Sequence, residues 1–428
     1  MTAEIAILNR SALALAADSA VTIRMGNKVK IYDSAEKLFE LSRVRPIALM
    51  IYNNVEFVGV PLDVAIRKFR SESDRNWQTI DHIPTEFQIY LEQFSHSDQD
   101  ELDFLRGVLS GTLASINTKL TALLRAQFRK SSVGSGRLPK GLDAKKELKT
   151  IILRETADLE SNPLTGYLSD KSQNDFDGKF GNVVREMSAR AFPLVEPDDE
   201  IFGLLNVYVF ALLKSNRRTD LFTGLVFGGF GAKDLFPTMV TVDIDGVFFG
   251  KLRALSRDVI DIDRRGPRAA IVPFAQQEMA ERFIDGLDSQ LENNLSIYVD
   301  GVVDSILNRR PRSFSKAERD SIKQEVSANF VKVIEQLKQK SRSSVLDIVY
   351  SMSKKELAEM AHALVELTSK KRRFSSDQET VGGPIDVAIV TRNEGLIWIQ
   401  RKHYFDPALN LSFQTRMAAR RDGGLNGK

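Results

Sequence analysis

The feature that most constrains this chain is its opening stretch, residues 1–37. Thr2 follows Met1, and methionine aminopeptidases generally remove Met before a residue this small. The processed chain would then begin with Thr2, which would carry a hydroxyl and a free α-amine with a reference pKa of about 7.7–8.0. A threonine hydroxyl is a weak nucleophile by itself, and an adjacent base such as this amine activates it. Thr2 is therefore a candidate nucleophile.

Two apolar runs follow this start and predict a β-hairpin that is buried on both faces. The runs AEIAIL and ALALAA are separated by the polar segment NRS. The second run ends at Asp18, and burial of its carboxylate is costly without a partner. Lys37 is the nearest candidate partner, and it begins another apolar strand that continues through Pro46. A lysine close to Asp18 and Thr2 would favour deprotonation of the hydroxyl.

This ordered set of residues resembles the start of a proteasome β-subunit and of its bacterial ATP-dependent relative, which are N-terminal nucleophile hydrolases. In that family the mature chain opens with Thr, an AxDSxxT-type motif ends the second strand, and a Lys starts a later strand. Here AADSAVT occupies residues 16–22, and Asp18 lies sixteen residues after Thr2. The resemblance implies that Thr2 is the nucleophile and that Asp18 and Lys37 tune it. It also implies that Thr22 offers backbone contacts to a bound peptide.

Two other parts of the family pattern are altered. Relatives have a glycine-rich turn whose N–H groups form the oxyanion hole, whereas this chain has Tyr52 and Asn53 at that place. Their backbone N–H groups can still donate, but their side chains would crowd the cleft. Relatives also have a supporting Ser before a later helix. Here the segment PFA replaces it, and Gln276 is the nearest polar side chain.

A third part of the family pattern lies near the C terminus. Relatives have an acidic residue and a Ser before two glycines, and both support the catalytic Thr. In this chain Glu379 or Asp377 could take the acidic role and Thr380 the hydroxyl role, ahead of the two glycines at 382 and 383. A loop without a catalytic role is an equally good interpretation of this stretch.

Composition narrows the classes of function. With 428 residues, 43% hydrophobic and 27% charged, the chain is typical of a globular protein. The net charge of +3 is too small to indicate nucleic-acid binding. The absence of Cys excludes disulfides and thiolate metal sites, and the four scattered His have no ligand spacing. We expect no metal and no cofactor. No signal peptide or membrane-spanning run is present, so we expect a cytoplasmic protein.

The order of elements predicts an α+β fold, a four-layer αββα sandwich in a single domain that covers residues 1–428. The strands are expected at 3–9, 12–17, 37–52, 221–228, 238–250 and 384–401, and the last of these ranges is expected to turn at residues 393–395. The segment FPTMVTVDIDGVFFGKLRAL is expected to form a hairpin that turns at Asp245 and Gly246. Helical patterns predict large insertions at 71–216 and at 293–342. The first could be a lid or an assembly surface. A polar tail at 416–428 is expected to be disordered.

The resemblance implies a threonine-type amidohydrolase, a proteasome-like peptidase that acts on a peptide or protein through Thr2 once Met1 is removed. It also implies a homo-oligomer, with an ATPase as a partner that the family allows. Two alternatives stay open. One is a catalytically inactive assembly or scaffold subunit, which the missing glycine turn and supporting Ser favour. The other is a hydrolase of small amides in the same superfamily.

Overall fold

The computed structural model describes residues 2–25, 28–73, 75–94, 97–132, 143–309, 314–374, 382–403, 405–412 and 415–416. Within these ranges the chain has a mixed α+β fold built on antiparallel sheets, as its strand and helix patterns predict. No helix among the described residues is both long and apolar enough to cross a membrane.

Strands and helices alternate along the chain in blocks. The strands are β1 (Ala3–Asn9), β2 (Leu13–Ala17), β3 (Val21–Met25), β4 (Lys28–Tyr32), β5 (Leu38–Glu40), β6 (Ile47–Asn53), β7 (Glu56–Phe57), β8 (Val60–Pro61), β9 (Thr223–Gly229), β10 (Thr238–Phe248), β11 (Lys251–Asp261), β12 (Ala269–Ala275), β13 (Asp386–Thr391) and β14 (Gly395–Gln400). The α-helices are α1 (Leu62–Ser73), α2 (Ile83–Gln93), α3 (Asp98–Ser132), α4 (Ala144–Glu160), α5 (Gln173–Ala191), α6 (Asp199–Lys214), α7 (Glu278–Asp285), α8 (Ser289–Arg309), α9 (Lys316–Ser351) and α10 (Lys354–Arg373).

Two five-stranded antiparallel sheets organise these strands. The first has the spatial order β12–β1–β2–β13–β14, and the second has the order β11–β10–β9–β6–β5. The predicted hairpin of β1 and β2 is confirmed, with Glu4 opposite Ala17. On its other side β1 pairs with β12, with Ala3 opposite Ala275. β1 therefore has a hydrogen-bonded neighbour on each edge, and its residues are buried throughout.

An apolar core lies between the two sheets. Leu8 and Leu15 come from the first sheet, and Met50 and Val226 come from the second. Because successive side chains of a strand point to opposite faces, the even-numbered Glu4, Ala6 and Leu8 of β1 share the face that looks onto this core. The odd-numbered residues of β1 face the other way.

Helices cover the outer faces of both sheets. On the first sheet, Ile5 and Ile7 pack with residues of α7, α9 and α10 such as Ile284, Val349 and Leu364. On the second sheet, strand residues pack with α1 and α2, among them Phe69 and Phe87. The central strands of each sheet are thus buried on both faces, which explains why β1 and β2 are apolar at nearly every position.

Helices α3–α6 have an apolar core of their own, in which Phe176, Phe180 and Val209 are fully buried. The expected insertion at 71–216 begins inside α1 and ends just after α6, but α2 packs against the second sheet rather than with this helical cluster. The expected insertion at 293–342 falls within α8 and α9. Most of the expected tail, 417–428, lies outside the described residues.

Two predicted strands differ from the structure. The strand expected at 37–52 is divided into β5 and β6, because Pro46 and its neighbours form a turn between them. The hairpin expected to turn at Asp245 and Gly246 turns instead at Phe249 and Gly250. At Asp245 and Gly246 the strand β10 continues with a shift of register against β11, which is the mark of a bulge.

Candidate active site

The start of β1 is held from both sides. The Thr2 carbonyl oxygen accepts a hydrogen bond from the Gln276 N–H at 3.1 Å. On the other side the Ala3 N–H donates to Asp18 Oδ1 at 3.1 Å, and the Asp18 N–H donates back to the Ala3 carbonyl at 3.1 Å. Thr2 is 1% exposed as a result. Its backbone position is therefore set by the neighbouring β12 and by the end of β2.

Asp18 and Lys37 form a buried ion pair. Lys37 Nζ lies 2.6 Å from Asp18 Oδ1, and both side chains are almost wholly buried. The second carboxylate oxygen, Asp18 Oδ2, accepts a hydrogen bond from the Gly382 N–H at 3.0 Å. Both oxygens of Asp18 thus have partners, which is the condition under which a buried charge is tolerated. The pairing that the sequence predicts for these two residues is present.

A third charged residue, Glu4, joins this pair. The Thr2 hydroxyl donates to Glu4 Oε2 at 3.1 Å. The other oxygen, Glu4 Oε1, lies 3.0 Å from Lys37 Nζ but makes no well-directed hydrogen bond. Burial raises the pKa of Glu4 to about 7, and the Asp18 charge adds to the rise while Lys37 opposes it. Thr2, Glu4, Asp18 and Lys37 form one connected cluster, which we call the Thr2 cluster.

Sequence reasoning missed Glu4, although a signal was present. Glu4 is the one charged residue in the run AEIAIL, which otherwise reads as a strand that is buried on both faces. Two positions after Thr2 in a strand, its side chain had to share a face with Thr2. A carboxylate at such a place needs a cationic partner, and Lys37 is that partner.

The glycine pair at 382–383 supports the Thr2 cluster through its backbone. Gly382 donates to Asp18, and its carbonyl accepts from the Ser19 N–H at 3.3 Å. Gly383 has φ +76°, and a Cβ there would lie 2.7 Å from Cβ of Asp33. The second position therefore requires glycine both for its backbone conformation and for its close approach. Glu379, predicted as a catalytic acid, lies outside the described residues, as do Asp377 and Thr380.

The three residues predicted to bind substrate are placed differently from one another. Thr22 lies in β3, where its backbone is in register with Ile31 of β4. Tyr52 is buried, and its hydroxyl donates to Asp243 Oδ1 at 2.7 Å. Asn53 has a left-handed backbone with φ 68°, and its side-chain amide donates to the Phe222 carbonyl at 2.7 Å. The Asn53 side chain is thus turned onto the start of β9.

A cavity of about 400 Å³ lies between the edge strands of the two sheets. The aromatic rings in its wall are those of Tyr52, Phe222 and Phe274. The polar side chains in its wall include Arg218, Asp243 and Ser256. Asp243 is fully engaged there, because Tyr52, Arg218 and Ser256 all contact its carboxylate within 3 Å.

This cavity lies next to the Thr2 cluster but does not include it. Ala275, the register partner of Ala3, lines the cavity, whereas Thr2 does not. Burial, together with the Asp243 carboxylate, raises the pKa of Tyr52, so that its phenol stays neutral. A group bound in the cavity would therefore meet a neutral phenol.

Gln276 does not replace the missing serine. Its backbone N–H donates to Thr2, but its side-chain oxygen accepts a hydrogen bond from Arg372 Nε at 2.7 Å. Its contribution to the site is through the backbone. Among the described residues no three His, Asp or Glu side chains are grouped so that they could hold a metal ion.

Comparisons with solved structures give only distant likenesses, among them two Anbu structures. No family model matches the chain, and no curated protein matches it. A solved structure of Anbu (ancestral beta-subunit) from Yersinia bercovieri is 10% identical, with 97% of this chain and 95% of that chain covered and a TM-score of 0.27. An Anbu mutant from Hyphomicrobium sp. strain MC1 is 12% identical, with 100% and 99% covered and a TM-score of 0.27. These values assign the chain to no family.

Proposed function

We propose that the protein is a threonine-type N-terminal nucleophile amidohydrolase, a proteasome-like peptidase that cleaves amide bonds through Thr2 after removal of Met1. The single observation that carries this proposal is the Thr2 cluster: a hydroxyl at the second residue whose surroundings are a buried lysine and two buried carboxylates. The start of a strand does not require a buried lysine with two acidic partners, and each of these charges costs free energy to bury.

The proposed reaction is acyl transfer. Removal of Met1 turns the Thr2 amide into a free amine, which can assist loss of the hydroxyl proton. The Oγ1 atom then attacks the carbonyl carbon of the scissile amide, and the positive charge of Lys37 favours the alkoxide. Backbone N–H groups near Tyr52 and Asn53 would stabilise the oxyanion. Water completes the cycle by hydrolysing the ester on Thr2.

The wider proposal includes the architecture and the partners. We propose that the two sheets and their helices form a four-layer αββα sandwich of the N-terminal nucleophile type, within one domain of residues 1–428. The substrate is a peptide or protein, the protein assembles as a homo-oligomer in the cytoplasm, and an ATPase is a partner to test. The helices at 71–216 and 293–342 are proposed as insertions into that domain.

Two observations keep other functions in view. Thr2 is almost fully buried and Gln276 is turned onto Arg372, which favours an inactive scaffold subunit of the same fold. The cavity beside the site is lined by the ion pair of Arg218 and Asp243 and has a volume of only about 400 Å³, which favours a small amide over a long peptide. Panels of peptide and small-amide substrates separate these two functions from a peptidase.

The decisive experiment combines intact mass with labelling. We expect the purified protein to lack Met1 and to be acylated at Thr2 by a peptidyl β-lactone, which reacts with nucleophilic hydroxyls. Thr2→Ala should lose both labelling and amide hydrolysis. Thr118→Ala is the matched control, because Thr118 is exposed on α3 and its hydroxyl donates only to the Ala114 carbonyl. A retained Met1, or equal activity in Thr2→Ala, contradicts the proposal.

A further inference from the structure

We propose that Glu4 is a further catalytic residue, whose carboxylate is the first acceptor of the Thr2 hydroxyl proton. The inference rests on the proposed function of Thr2 and adds a proton acceptor that the family resemblance does not supply. Without Glu4, Asp18 and Lys37 would influence the Thr2 hydroxyl only through the electrostatic field of their charges.

The geometry places Glu4 between the nucleophile and the lysine. The hydrogen bond from Thr2 Oγ1 ends on Glu4 Oε2, at 3.1 Å. Lys37 Nζ contacts the other oxygen of the same carboxylate at 3.0 Å. A base must lie within hydrogen-bond reach of the proton that it takes, and Glu4 meets this condition for the Thr2 hydroxyl. Lys37 reaches the hydroxyl through this carboxylate.

The charges around Glu4 do not balance when every group is ionised. Asp18 and Glu4 carry two negative charges, and Lys37 carries one positive charge, all of them buried. Asp18 is also stabilised by the N–H groups of Ala3 and Gly382, whereas Glu4 has no backbone donor among its described contacts. A proton taken up by the cluster is therefore best placed on Glu4.

The titratable groups that face Glu4 are few. They are Asp18 at the end of β2, Lys37 before β5, the neutral Tyr52 on β6 and, once Met1 is removed, the amine of Thr2 on β1 itself. The strand β12 opposes Glu4 with the apolar Phe274. Burial raises the pKa of Glu4 to about 7, which is the range in which a general base is effective at neutral pH.

The proton then follows a balanced path. In acylation the Thr2 Oγ1–H bond breaks, Glu4 Oε2 gains the proton, Oγ1 bonds to the carbonyl carbon, and the π electron pair moves to the carbonyl oxygen. When this intermediate collapses, the C–N bond breaks and Glu4 returns its proton to the leaving nitrogen. In deacylation Glu4 takes a proton from the attacking water and gives it to Thr2 Oγ1 as the ester bond breaks.

The test compares acylation of Thr2 by a peptidyl β-lactone in three variants, followed by intact mass as a function of pH. The variants are Glu4→Gln, which keeps the shape, Glu4→Asp, which keeps the charge, and Glu101→Gln as a matched control. Glu101 is also buried and paired with a lysine, Lys179, but its carboxylate accepts from the N–H groups of the β10–β11 turn. Thermal unfolding of each variant reports whether it is folded.

We expect the wild-type rate to rise with pH through a step near neutrality. Glu4→Gln should lower the rate by about 10²–10⁴-fold and remove this step, Glu4→Asp should restore part of the rate together with a step, and Glu101→Gln should match the wild type.

A step that survives unchanged in Glu4→Gln would belong to the α-amine and would overturn the role of Glu4, while leaving Thr2 as the nucleophile. If Glu4→Gln does not fold, Glu4→Asp is the deciding variant. A pH step in Glu4→Asp that is unchanged from the wild type would mean that the Glu4 carboxylate only supports the fold. A wild-type protein that is never labelled at Thr2 overturns the proposed function, and the role of Glu4 with it.

Discussion

Lys37 and Asp18 are separated by nineteen residues in the chain, yet Lys37 Nζ lies 2.6 Å from Asp18 Oδ1, and both side chains are buried. The same ammonium lies 3.0 Å from Glu4 Oε1. One cation therefore contacts two carboxylates, one on β1 and one just after the end of β2. This arrangement makes Lys37 the group whose loss would disturb the site most.

We expect Lys37→Met to destabilise the protein by roughly 3–5 kcal/mol and to abolish labelling of Thr2. The methionine fills a similar volume, but Asp18 and Glu4 are then left as two buried carboxylates without a cation. Chemical denaturation measures the first effect and β-lactone labelling the second. Lys68→Met is a suitable control, because Lys68 is half exposed and pairs only weakly with Glu72 at 3.8 Å. Equal loss of stability in the two variants would contradict the expectation.

Stability should fall as pH rises from about 4.5 to 7, because of Glu4. The pKa of Glu4 is raised from its ordinary value of 4.5 to about 7 in the folded protein. In that window the folded state holds a proton that the unfolded state has lost, so the free energy of unfolding decreases with rising pH. The full contribution of this group is about 3 kcal/mol.

The measurement is the difference in unfolding free energy between the wild type and Glu4→Gln across this pH range. We expect the unfolding free energy of the wild type to decrease relative to that of Glu4→Gln as pH rises. Glu155→Gln provides a control of opposite sign. Although burial raises the pKa of Glu155, the hydrogen bond and charge of Lys119 lower it overall, so its contribution is lost as pH falls. A pH-independent difference for Glu4→Gln would show that this carboxylate titrates normally.

The first hairpin and the pairing of Asp18 with Lys37 could be predicted because both depend on local patterns. Two unbroken apolar runs define strands that are buried on both faces. A carboxylate at the end of such a strand must find a cation, and the chain offers a lysine shortly afterwards. The same logic, applied to Glu4 within the first run, would have added it to the site.

The path of β10 could not be read from its own residues. Asp245 followed by Gly246 is the commonest signal for a tight hairpin turn. In the structure Asp245 is buried and accepts from Thr219 and from Arg253, and these partners hold it within β10, at a bulge rather than at a hairpin turn. Arg253 lies beyond the turn and Thr219 before β9, so contacts distant from the dipeptide decide its conformation. Similarly, no residue near Gln276 in the sequence indicates that its side-chain oxygen accepts a hydrogen bond from Arg372.

Gly383→Ala should destabilise the protein more than Gly395→Ala. Both glycines have a positive φ, +76° and +78°, so alanine is strained at each by roughly 1–2 kcal/mol. At Gly383 the new Cβ also lies 2.7 Å from Asp33, whereas at Gly395 it meets nothing within 4 Å. We expect a total of about 2–4 kcal/mol for Gly383→Ala.

Gly383→Ala should also weaken labelling of Thr2, since its neighbour Gly382 donates to Asp18. Gly395→Ala should leave labelling unchanged. Equal unfolding free energies for the two variants would mean that the close approach to Asp33 does not constrain this backbone.

The buried pair of Arg253 and Asp245 should be a principal anchor between the helices α3–α6 and the second sheet. Arg253 is fully buried, contacts Asp245, and donates to the carbonyl oxygens of Leu213, Ser215 and Arg217 at 2.7–2.8 Å. Those carbonyls belong to the end of α6 and to the segment after it, so Arg253 joins this part of the chain to β11.

We expect Arg253→Met to lower the unfolding free energy by roughly 3–5 kcal/mol, because Asp245 is left as a buried charge without its partner. Arg257→Met is the matched control on the same strand, where Arg257 is half exposed and pairs with the exposed Asp81, so that its loss should cost about 0–1 kcal/mol. Limited proteolysis should detect earlier cleavage after α6 in Arg253→Met alone. Equal stability of the two variants would show that the helices are held by apolar packing, and that the ion pair only fixes the direction in which the chain leaves α6.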